Sequence, residues 1–230
     1  YLHIGEHGAR LVDASHLLGA TTWEAEERIT EELGADPRRI SVFAIGPAGE
    51  AGVRFAALVG DKGHVAGHNG LGAVLGAKHL KAIAVERGPR PVAVYDRDAL
   101  ARAGRAMFSA MQASPHGRLI YEFGTAGHVE MIYSAGMLPV RNYTTNILPT
   151  YDQLSGQYMR SHFKERVKPC WACRVNHVRW MTVTEGPYSG ITGEEPEYEV
   201  VAALGSQIGI NDPGAVVYLG NLCDRLGMDC

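Results

Sequence analysis

The feature that most constrains the fold of this chain is a C-x2-C-x3-H spacing that runs from Cys170 to His177. Two thiolates three residues apart can bind one metal centre from a single turn of backbone, and a histidine four residues later can reach the same centre. With two further ligands the run could form a structural zinc site, or it could supply three corners of a [4Fe–4S] cluster. A buried cysteine pair beside an unrelated histidine is the remaining interpretation.

Length and composition limit the number of domains and the classes of function. The chain has 230 residues, of which 46% are hydrophobic, and a net charge of −3, which suits one large domain or two modest ones with a substantial core. The sequence has no cluster of lysine and arginine of the kind that forms a nucleic-acid-binding face. It also has no run of about 18 apolar residues, so a membrane span is not expected. The start at Tyr1, without a signal sequence, is typical of the interior of a longer chain.

The cysteines indicate the compartment. All four lie between Cys170 and Cys230, whereas a disulfide framework is usually denser and more evenly spread. Thiolates that bind a metal in a reducing environment explain this distribution better. We therefore expect a cytoplasmic protein.

Hydrophobic periodicity predicts an α+β fold with a β-rich N-terminal domain, residues 1–95, followed by a mostly helical domain, residues 96–230. In the first domain, Thr21 and Glu24 form a capping box that opens a helix. Apolar runs at Ile40–Ile45 and Pro91–Tyr95 predict strands there. In the second domain, residue spacing predicts helices over Asp98–Met111, Tyr151–Lys168 and Pro213–Leu226.

A glycine-rich stretch, Ala66–Lys78, allows two interpretations. Glycine is needed where backbone must approach another group closely. The stretch could cradle phosphate with the backbone N–H groups that open a helix, although the Gly-Lys-Ser/Thr ending of a P-loop is absent. It could equally pack a helix tightly against a sheet, and composition does not separate these two possibilities.

Acidic residues cluster between Glu194 and Glu199, and Glu197 and Glu199 stand at the predicted start of a helix. Carboxylates in that position usually complement the helix dipole on a solvated face. A carboxylate that instead faces a closed cavity has a raised pKa and can donate or accept protons near neutral pH. Sequence alone favours the solvated face.

The end of the chain places two carboxylates around a glycine where a predicted helix stops. Asp224 and Asp229 could accept hydrogen bonds from the N–H groups of a heterocycle, and the Cys230 thiolate could bind a metal. Ordinary helix termination beside a cysteine of no special role explains the same residues equally well.

Seven segments, taken in order along the chain, resemble those of one family. They are Ile45–Ala56, with the letters IGPAGE and VRFA; Gly70–Val85; Gly124–Gly127; Leu138–Tyr143; Cys170–His177, which aligns with a C-x2-C-x3-C cluster motif; Pro196–Glu199, with the letters PEYE; and Asp224–Asp229, which aligns with a D-x-x-G-L-D pterin motif. On these segments the chain resembles the tungsten-containing aldehyde:ferredoxin oxidoreductases. Members of that family are much longer, so this chain is expected to be a central fragment.

The resemblance implies a tungsten ion, or molybdenum in its place, held by two metallopterins whose phosphates are bridged by Mg²⁺. It also implies a [4Fe–4S] cluster close by and a β-rich domain, residues 1–95, that cradles the pterins. The residues that it assigns to pterin are Gly70, Leu71, Gly72, Ala73, Asp224, Gly227 and Asp229.

The same resemblance assigns Cys170 and Cys173 to the cluster and places Glu199 on the substrate side of tungsten. His177 stands where the family has its third cluster cysteine. Histidine can bind an Fe–S iron, or it can transfer protons while another residue binds the cluster.

Cys230 follows Asp229 where the aldehyde enzymes usually carry threonine. In this respect the chain resembles the catalytic subunit of class II benzoyl-CoA reductase, a branch in which a cysteine thiolate binds tungsten. That resemblance implies low-potential reduction of an aromatic acyl-CoA, with electrons supplied by ferredoxin or an Fe–S subunit, and assembly into an oligomer. Protons would be handled by Glu199, Glu197 or His177.

The sequence leaves two alternative functions open. The first is oxidation of an aldehyde to a carboxylate, with ferredoxin as the electron acceptor. The second belongs to another class: a zinc-stabilised interaction module in which Cys170, Cys173 and His177 supply ligands.

Overall fold

The structure, a computed structural model, describes residues 1–168 and 170–230. Within these residues the chain forms two compact units. Tyr1–Val92 and Asn221–Asp229 form the first unit, and Ala93–Gly220 with Cys230 forms the second. A β-rich first part and a mostly helical second part confirm the predicted α+β class.

The first unit is built on one sheet. Its strands are β1 Leu2–Gly5, β2 Gly8–Leu11, β3 Ile40–Ala44, β4 Leu58–Gly60, β5 His64–Ala66 and β6 Ala82–Glu86. They are arranged in the order β2-β1-β6-β3-β4-β5. β1 and β6 pair in parallel, and the other neighbours pair antiparallel.

Three helices accompany this sheet: α1 Thr22–Glu32, α2 Pro47–Glu50 and α3 Leu71–Ala77. α1 begins with the predicted capping box, because the Thr21 side chain accepts the Glu24 N–H and the Glu24 carboxylate accepts the Thr21 N–H. Its inner face buries Ile29 in a core cluster with Val42 of the sheet. Burial of one such aliphatic side chain contributes about 1.5–3 kcal/mol, so this face holds α1 in place.

The second unit is mostly helical. Its helices are α4 Arg97–Ala113, α5 Pro115–Phe123, α6 Val129–Ser134, α7 Gly156–His162, α8 Tyr198–Leu204 and the first part of α9 Pro213–Leu226. Short 3-10 turns occupy Thr125–His128, Tyr151–Leu154 and Ser206–Ile208, and the first unit has one at Ser15–Leu17.

A small antiparallel sheet lies in the second unit. It consists of β7 Lys164–Val167, β8 Arg179–Thr182 and β9 Thr192–Glu194, with β8 in the middle. Fully buried side chains from helices and sheet, among them Leu154, Met159, Met181 and Val201, form one core cluster. This core holds β8 in place through Met181.

Some secondary-structure predictions differ from the structure. Pro91–Tyr95 is not a strand in the described part of the chain; its Val92 and Tyr95 side chains are exposed, so no buried face holds it against the sheet. The helix predicted over Tyr151–Lys168 is shorter, because Ser155 caps α7 and the chain turns extended at Phe163 to enter β7. Helix α4 forms where predicted, yet none of its residues is buried. Among the described residues, no helix combines the length and apolar character needed to cross a membrane.

Candidate cofactor site

The segment Asp224–Asp229 begins in the last turn of α9 and then lies along Phe55–Ala57 of the first unit. The Asp229 N–H donates to the Phe55 carbonyl at 2.9 Å, and the Ala57 N–H donates to the Gly227 carbonyl at 2.8 Å. Gly227 has a left-handed φ of 73°, and a Cβ there would lie 2.6 Å from the Gly46 amide nitrogen. This position therefore requires glycine for both conformation and space.

The carboxylate of Asp229 contacts the glycine-rich stretch. Its Oδ2 accepts the His68 N–H at 2.8 Å, and a Cβ on Gly67 would lie 2.6 Å from its Oδ1. The two motifs are 161 positions apart in the chain. The fold therefore brings together two of the motifs that the family resemblance assigns to pterin.

Asp224 is fixed through its backbone, because its carbonyl accepts the Thr22 hydroxyl at 2.7 Å. Cys230, which follows Asp229, is exposed.

The glycine-rich stretch enters α3 through three consecutive residues with left-handed backbone. Their φ angles are 53° at His68, 64° at Asn69 and 68° at Gly70. Leu71 is exposed and Ala73 is half-buried. The backbone that the resemblance assigns to pterin thus lies at the start of a short helix.

Two glycines of α3 face the unit's own backbone. A Cβ on Gly72 would lie 2.5 Å from the Ala57 carbonyl oxygen, and a Cβ on Gly76 would lie 1.9 Å from the Gly49 carbonyl oxygen. The space beside these glycines is filled by protein. At these two positions the glycine spacing is explained by close packing of α3.

The two cysteines of the C-x2-C-x3-H run lie on one backbone turn in the second unit. The Cys173 N–H donates to the Cys170 carbonyl at 3.1 Å, and Ala172 between them has a left-handed φ of 58°. Cys170 is half-buried and Cys173 is exposed. Burial raises the pKa of the Cys170 thiol, and the nearby Cys173 raises it further. A pair of thiolates at this turn would be stabilised by a bound cation.

His177 pairs with Glu197 rather than with the two thiols. Its Nε2 lies 3.2 Å from Oε1 of Glu197. The other carboxylate oxygen accepts a short hydrogen bond from the Thr125 hydroxyl, and Thr125 Oγ1 accepts the Tyr198 N–H at 2.8 Å. Glu197 is the residue that precedes α8, as the sequence predicts, but its side chain serves this network instead of capping the helix.

The pKa values of His177 and Glu197 are shifted in opposite directions. The hydrogen bond with Glu197 raises the pKa of His177, and burial opposes this effect. Burial works to raise the pKa of Glu197, but the hydrogen bonds from His177 and Thr125 outweigh it and hold that pKa below its ordinary value. Both shifts favour the arrangement in which His177 Nε2 donates to the Glu197 carboxylate.

A buried ion pair adjoins this network. The side chains of Arg160 and Glu195 are 6% and 5% exposed, and two parallel hydrogen bonds join them at 2.7 Å and 2.5 Å. Arg160 also donates to the His177 carbonyl at 2.7 Å and to the Glu122 carbonyl. Burial raises the pKa of Glu195, and Arg160 opposes that shift.

The predicted acidic cluster therefore separates by environment. Glu195 is buried and Glu197 is half-buried, whereas Glu199 is exposed in the first turn of α8. Glu199 accordingly complements the helix dipole.

Arg160, Thr125 and Glu195 are not among the site residues predicted from the sequence. Thr125 lies in the Gly124–Gly127 segment and Glu195 in the acidic run, so both carried a usable signal. No spacing in the sequence marks Arg160.

The donor set fits a metal centre in two respects. Histidines that bind metals donate their second ring N–H to a carboxylate or carbonyl, as His177 does toward Glu197, which leaves Nδ1 for a metal. Two thiols on one turn are ligands that zinc and Fe–S irons share. In the part of the chain that the structure describes, no three His, Cys, Asp or Glu side chains gather closely enough to hold an ion, and the four cysteines form no disulfide bond.

Known relatives match the chain along its whole length. Tungsten-containing aldehyde ferredoxin oxidoreductases of Pyrococcus furiosus and Thermococcus kodakarensis are 37% and 36% identical to it over 235 positions, which cover 100% of this chain and 37% of each relative. The WOR-like subunit of an aliphatic sulfonate oxidoreductase of Pyrococcus furiosus is 34% identical over 209 positions, 89% of this chain and 32% of that relative. The chain thus spans little more than a third of the curated relatives it matches.

A solved structure shares the fold. The active site complex of benzoyl coenzyme A reductase with 1,5-dienoyl-CoA matches 100% of this chain and 35% of its own, with a TM-score of 0.76 and 20% identity. Two family profiles divide the sequence between them: aldehyde ferredoxin oxidoreductase, N-terminal domain, over residues 1–87, and aldehyde ferredoxin oxidoreductase, domains 2 & 3, over residues 102–230. The chain therefore belongs to the aldehyde ferredoxin oxidoreductase family.

Proposed function

We propose that the protein containing this chain is a tungsten–bis-metallopterin oxidoreductase with a [4Fe–4S] cluster, and that it reduces an aromatic acyl-CoA at low potential. The observation that carries the proposal is the contact of Asp229 with His68 at 2.8 Å, because it joins the two motifs that the family uses for pterin. Cys230 follows Asp229 directly, so its thiol is next in the chain to the proposed pterin site.

In this proposal each cofactor has its own set of residues. Asp224, Gly227 and Asp229 would hold pterin, together with the backbone of Gly70–Ala73, and Mg²⁺ would be a further ion at the pterin site. Cys230 would bind tungsten, or molybdenum in its place. Cys170, Cys173 and Nδ1 of His177 would bind the cluster. When bound, these groups supply the electron transfer that amino-acid side chains cannot provide.

The chain's own contribution is a positioned proton. Nε2 of His177, which carries the proton in this proposal, lies 3.2 Å from Oε1 of Glu197, while the Thr125 hydroxyl fixes the other carboxylate oxygen. Three residues were expected to transfer protons. Of these, we assign His177 and Glu197 to proton transfer, because they form one hydrogen-bonded unit. Glu199 is exposed, and in this proposal it exchanges protons with solvent.

A viologen-linked assay of the intact protein tests the proposed reaction. Reduced viologen should be oxidised in the presence of benzoyl-CoA, and Cys230→Thr should remove this activity, since threonine lacks the thiolate. Turnover of aldehydes alone would refute the proposal.

Oxidation of an aldehyde to a carboxylate is the second candidate. Sequence similarity favours it, because tungsten-containing aldehyde ferredoxin oxidoreductases are 37% and 36% identical to this chain. In this reaction the aldehyde and one water molecule give the carboxylate, three protons and two electrons; water supplies the second oxygen, and ferredoxin accepts the electrons. Cys230→Thr should then leave aldehyde turnover intact, because the aldehyde enzymes usually carry threonine there.

The partners follow from the same proposal. Ferredoxin or an Fe–S subunit exchanges electrons at the cluster, and the protein works in the cytoplasm as an oligomer. Size-exclusion chromatography tests the oligomeric state, and electron transfer from reduced ferredoxin tests the electron partner. If the protein binds zinc but neither tungsten nor iron, the interaction-module alternative replaces the redox function.

A further inference from the structure

We infer that Arg160 is a positioning residue that holds the His177–Glu197 pair from both sides. The inference rests on the proposed function, in which this pair forms one hydrogen-bonded unit. Arg160 touches neither Nε2 of His177 nor Oε1 of Glu197. It acts through the backbone of His177 and through Glu195.

On the first side, Arg160 holds the backbone of His177. Its Nη2 donates to the His177 carbonyl at 2.7 Å. Arg179 adds hydrogen bonds to the Asn176 carbonyl at 2.8 Å and to the His177 carbonyl at 3.1 Å. The backbone that carries the His177 ring is thus held by two guanidinium groups.

On the second side, Arg160 holds the segment that carries Glu197. Its two parallel bonds to Glu195 fix that carboxylate, and the Glu195 N–H donates to the Arg179 carbonyl at 2.9 Å. Only Pro196 separates Glu195 from Glu197, and the proline ring fixes its own φ. A displacement of Arg160 would therefore move Glu197 as well as His177.

Arginine suits this position better than lysine. The planar guanidinium directs donors to Glu195, to the His177 carbonyl and to the Glu122 carbonyl at once. Lysine has the charge but lacks the fork that makes two parallel bonds to a carboxylate. Arg160→Lys should therefore keep the ion pair and lose the geometry.

The experiment compares Arg160→Lys with Lys81→Gln in the intact protein. Lys81 forms a buried ion pair with Glu50 at 2.5 Å in the first unit, so its variant controls for the loss of a buried pair far along the chain from His177. The first readout is the NMR signal of the His177 Nε2 proton in metal-free protein labelled with ¹⁵N-histidine, assigned by its absence in His177→Gln. The second is steady-state turnover, separated into kcat and KM.

In Arg160→Lys we expect the Nε2 proton signal to be lost or shifted upfield and kcat to fall about 10- to 100-fold, as for residues that orient metal or catalytic ligands, with KM unchanged. Lys81→Gln should keep the signal and kcat. Should Arg160→Lys not fold, the isosteric Glu195→Gln is expected to reproduce both changes.

Two results would overturn the inference: an unchanged signal with unchanged kcat in Arg160→Lys, or equal losses in Lys81→Gln. Absence of turnover in the unmodified protein, combined with an NMR signal that still depends on Arg160, would refute the proposed function and support the positioning role.

Discussion

Substitution of Gly76 by alanine tests whether the glycine-rich stretch is a packing device. Gly76 lies in α3, and a Cβ there would be 1.9 Å from the carbonyl oxygen of Gly49 in α2 and 2.8 Å from its carbonyl carbon. Carbon–oxygen contacts in proteins are normally about 3.3 Å or longer. Helices α2 and α3 would therefore have to separate by more than about 1 Å.

Two opposing effects determine how much Gly76→Ala changes the free energy of unfolding. Overpacking of this kind costs up to about 3 kcal/mol, and alanine recovers about 1 kcal/mol relative to glycine in a helix interior. The net loss for Gly76→Ala is about 2 kcal/mol. Gly104 in α4 is the matched control, because a Cβ there meets no atom within 4 Å. Gly104→Ala should gain about 1 kcal/mol.

Equilibrium urea unfolding of the two variants and the unmodified protein measures both effects. Opposite signs are expected, with Gly76→Ala less stable and Gly104→Ala more stable than the unmodified protein. A Gly76→Ala variant as stable as Gly104→Ala would show that the close approach to Gly49 does not exist in solution.

Three further outcomes are expected. The hydrogen bonds from Thr21 hold the pKa of Glu24 below its ordinary value, so its carboxylate stabilises α1 above the ordinary glutamate pKa. In thermal melts the stability difference between the unmodified protein and Glu24→Gln should shrink as the pH falls through the lowered pKa; a difference that grows in acid would contradict this. Met159 is fully buried in the core of the second unit, so Met159→Ala should cost about 2–5 kcal/mol in urea unfolding, and a cost near zero would mean that this core is not formed. Asp229→Ala removes the acceptor for the His68 N–H and should cost about 1–3 kcal/mol and lower the tungsten content, whereas Asp229→Asn keeps an acceptor and should cost less; equal stability of the alanine variant would argue against the contact.

The parts of this fold that sequence predicts well are those set by neighbouring residues. The Thr21–Glu24 capping box and the start and end of α9 are local in this sense, since capping and periodicity act within one or two turns. The helix predicted over Tyr151–Lys168 fails at its second half, because Lys164–Val167 pairs with β8. That pairing depends on residues later in the chain, which local propensity does not include.

The candidate site is predicted less completely, for the same physical reason. Glycine spacing shows that backbone must approach something closely, but only the folded chain shows that Gly72 and Gly76 face carbonyl groups. The contact of Asp229 with His68 spans 161 positions. Arg160 contacts Glu195, His177 and Glu122, which are distant in the chain and come together only in the folded protein. No sequence motif therefore predicts its role.

The metal content of the intact protein, purified without oxygen, tests the central claim most directly. A tungsten–pterin enzyme with one [4Fe–4S] cluster predicts tungsten, or molybdenum in its place, with about four iron atoms for each such ion. Zinc without tungsten, molybdenum or iron would contradict the claim.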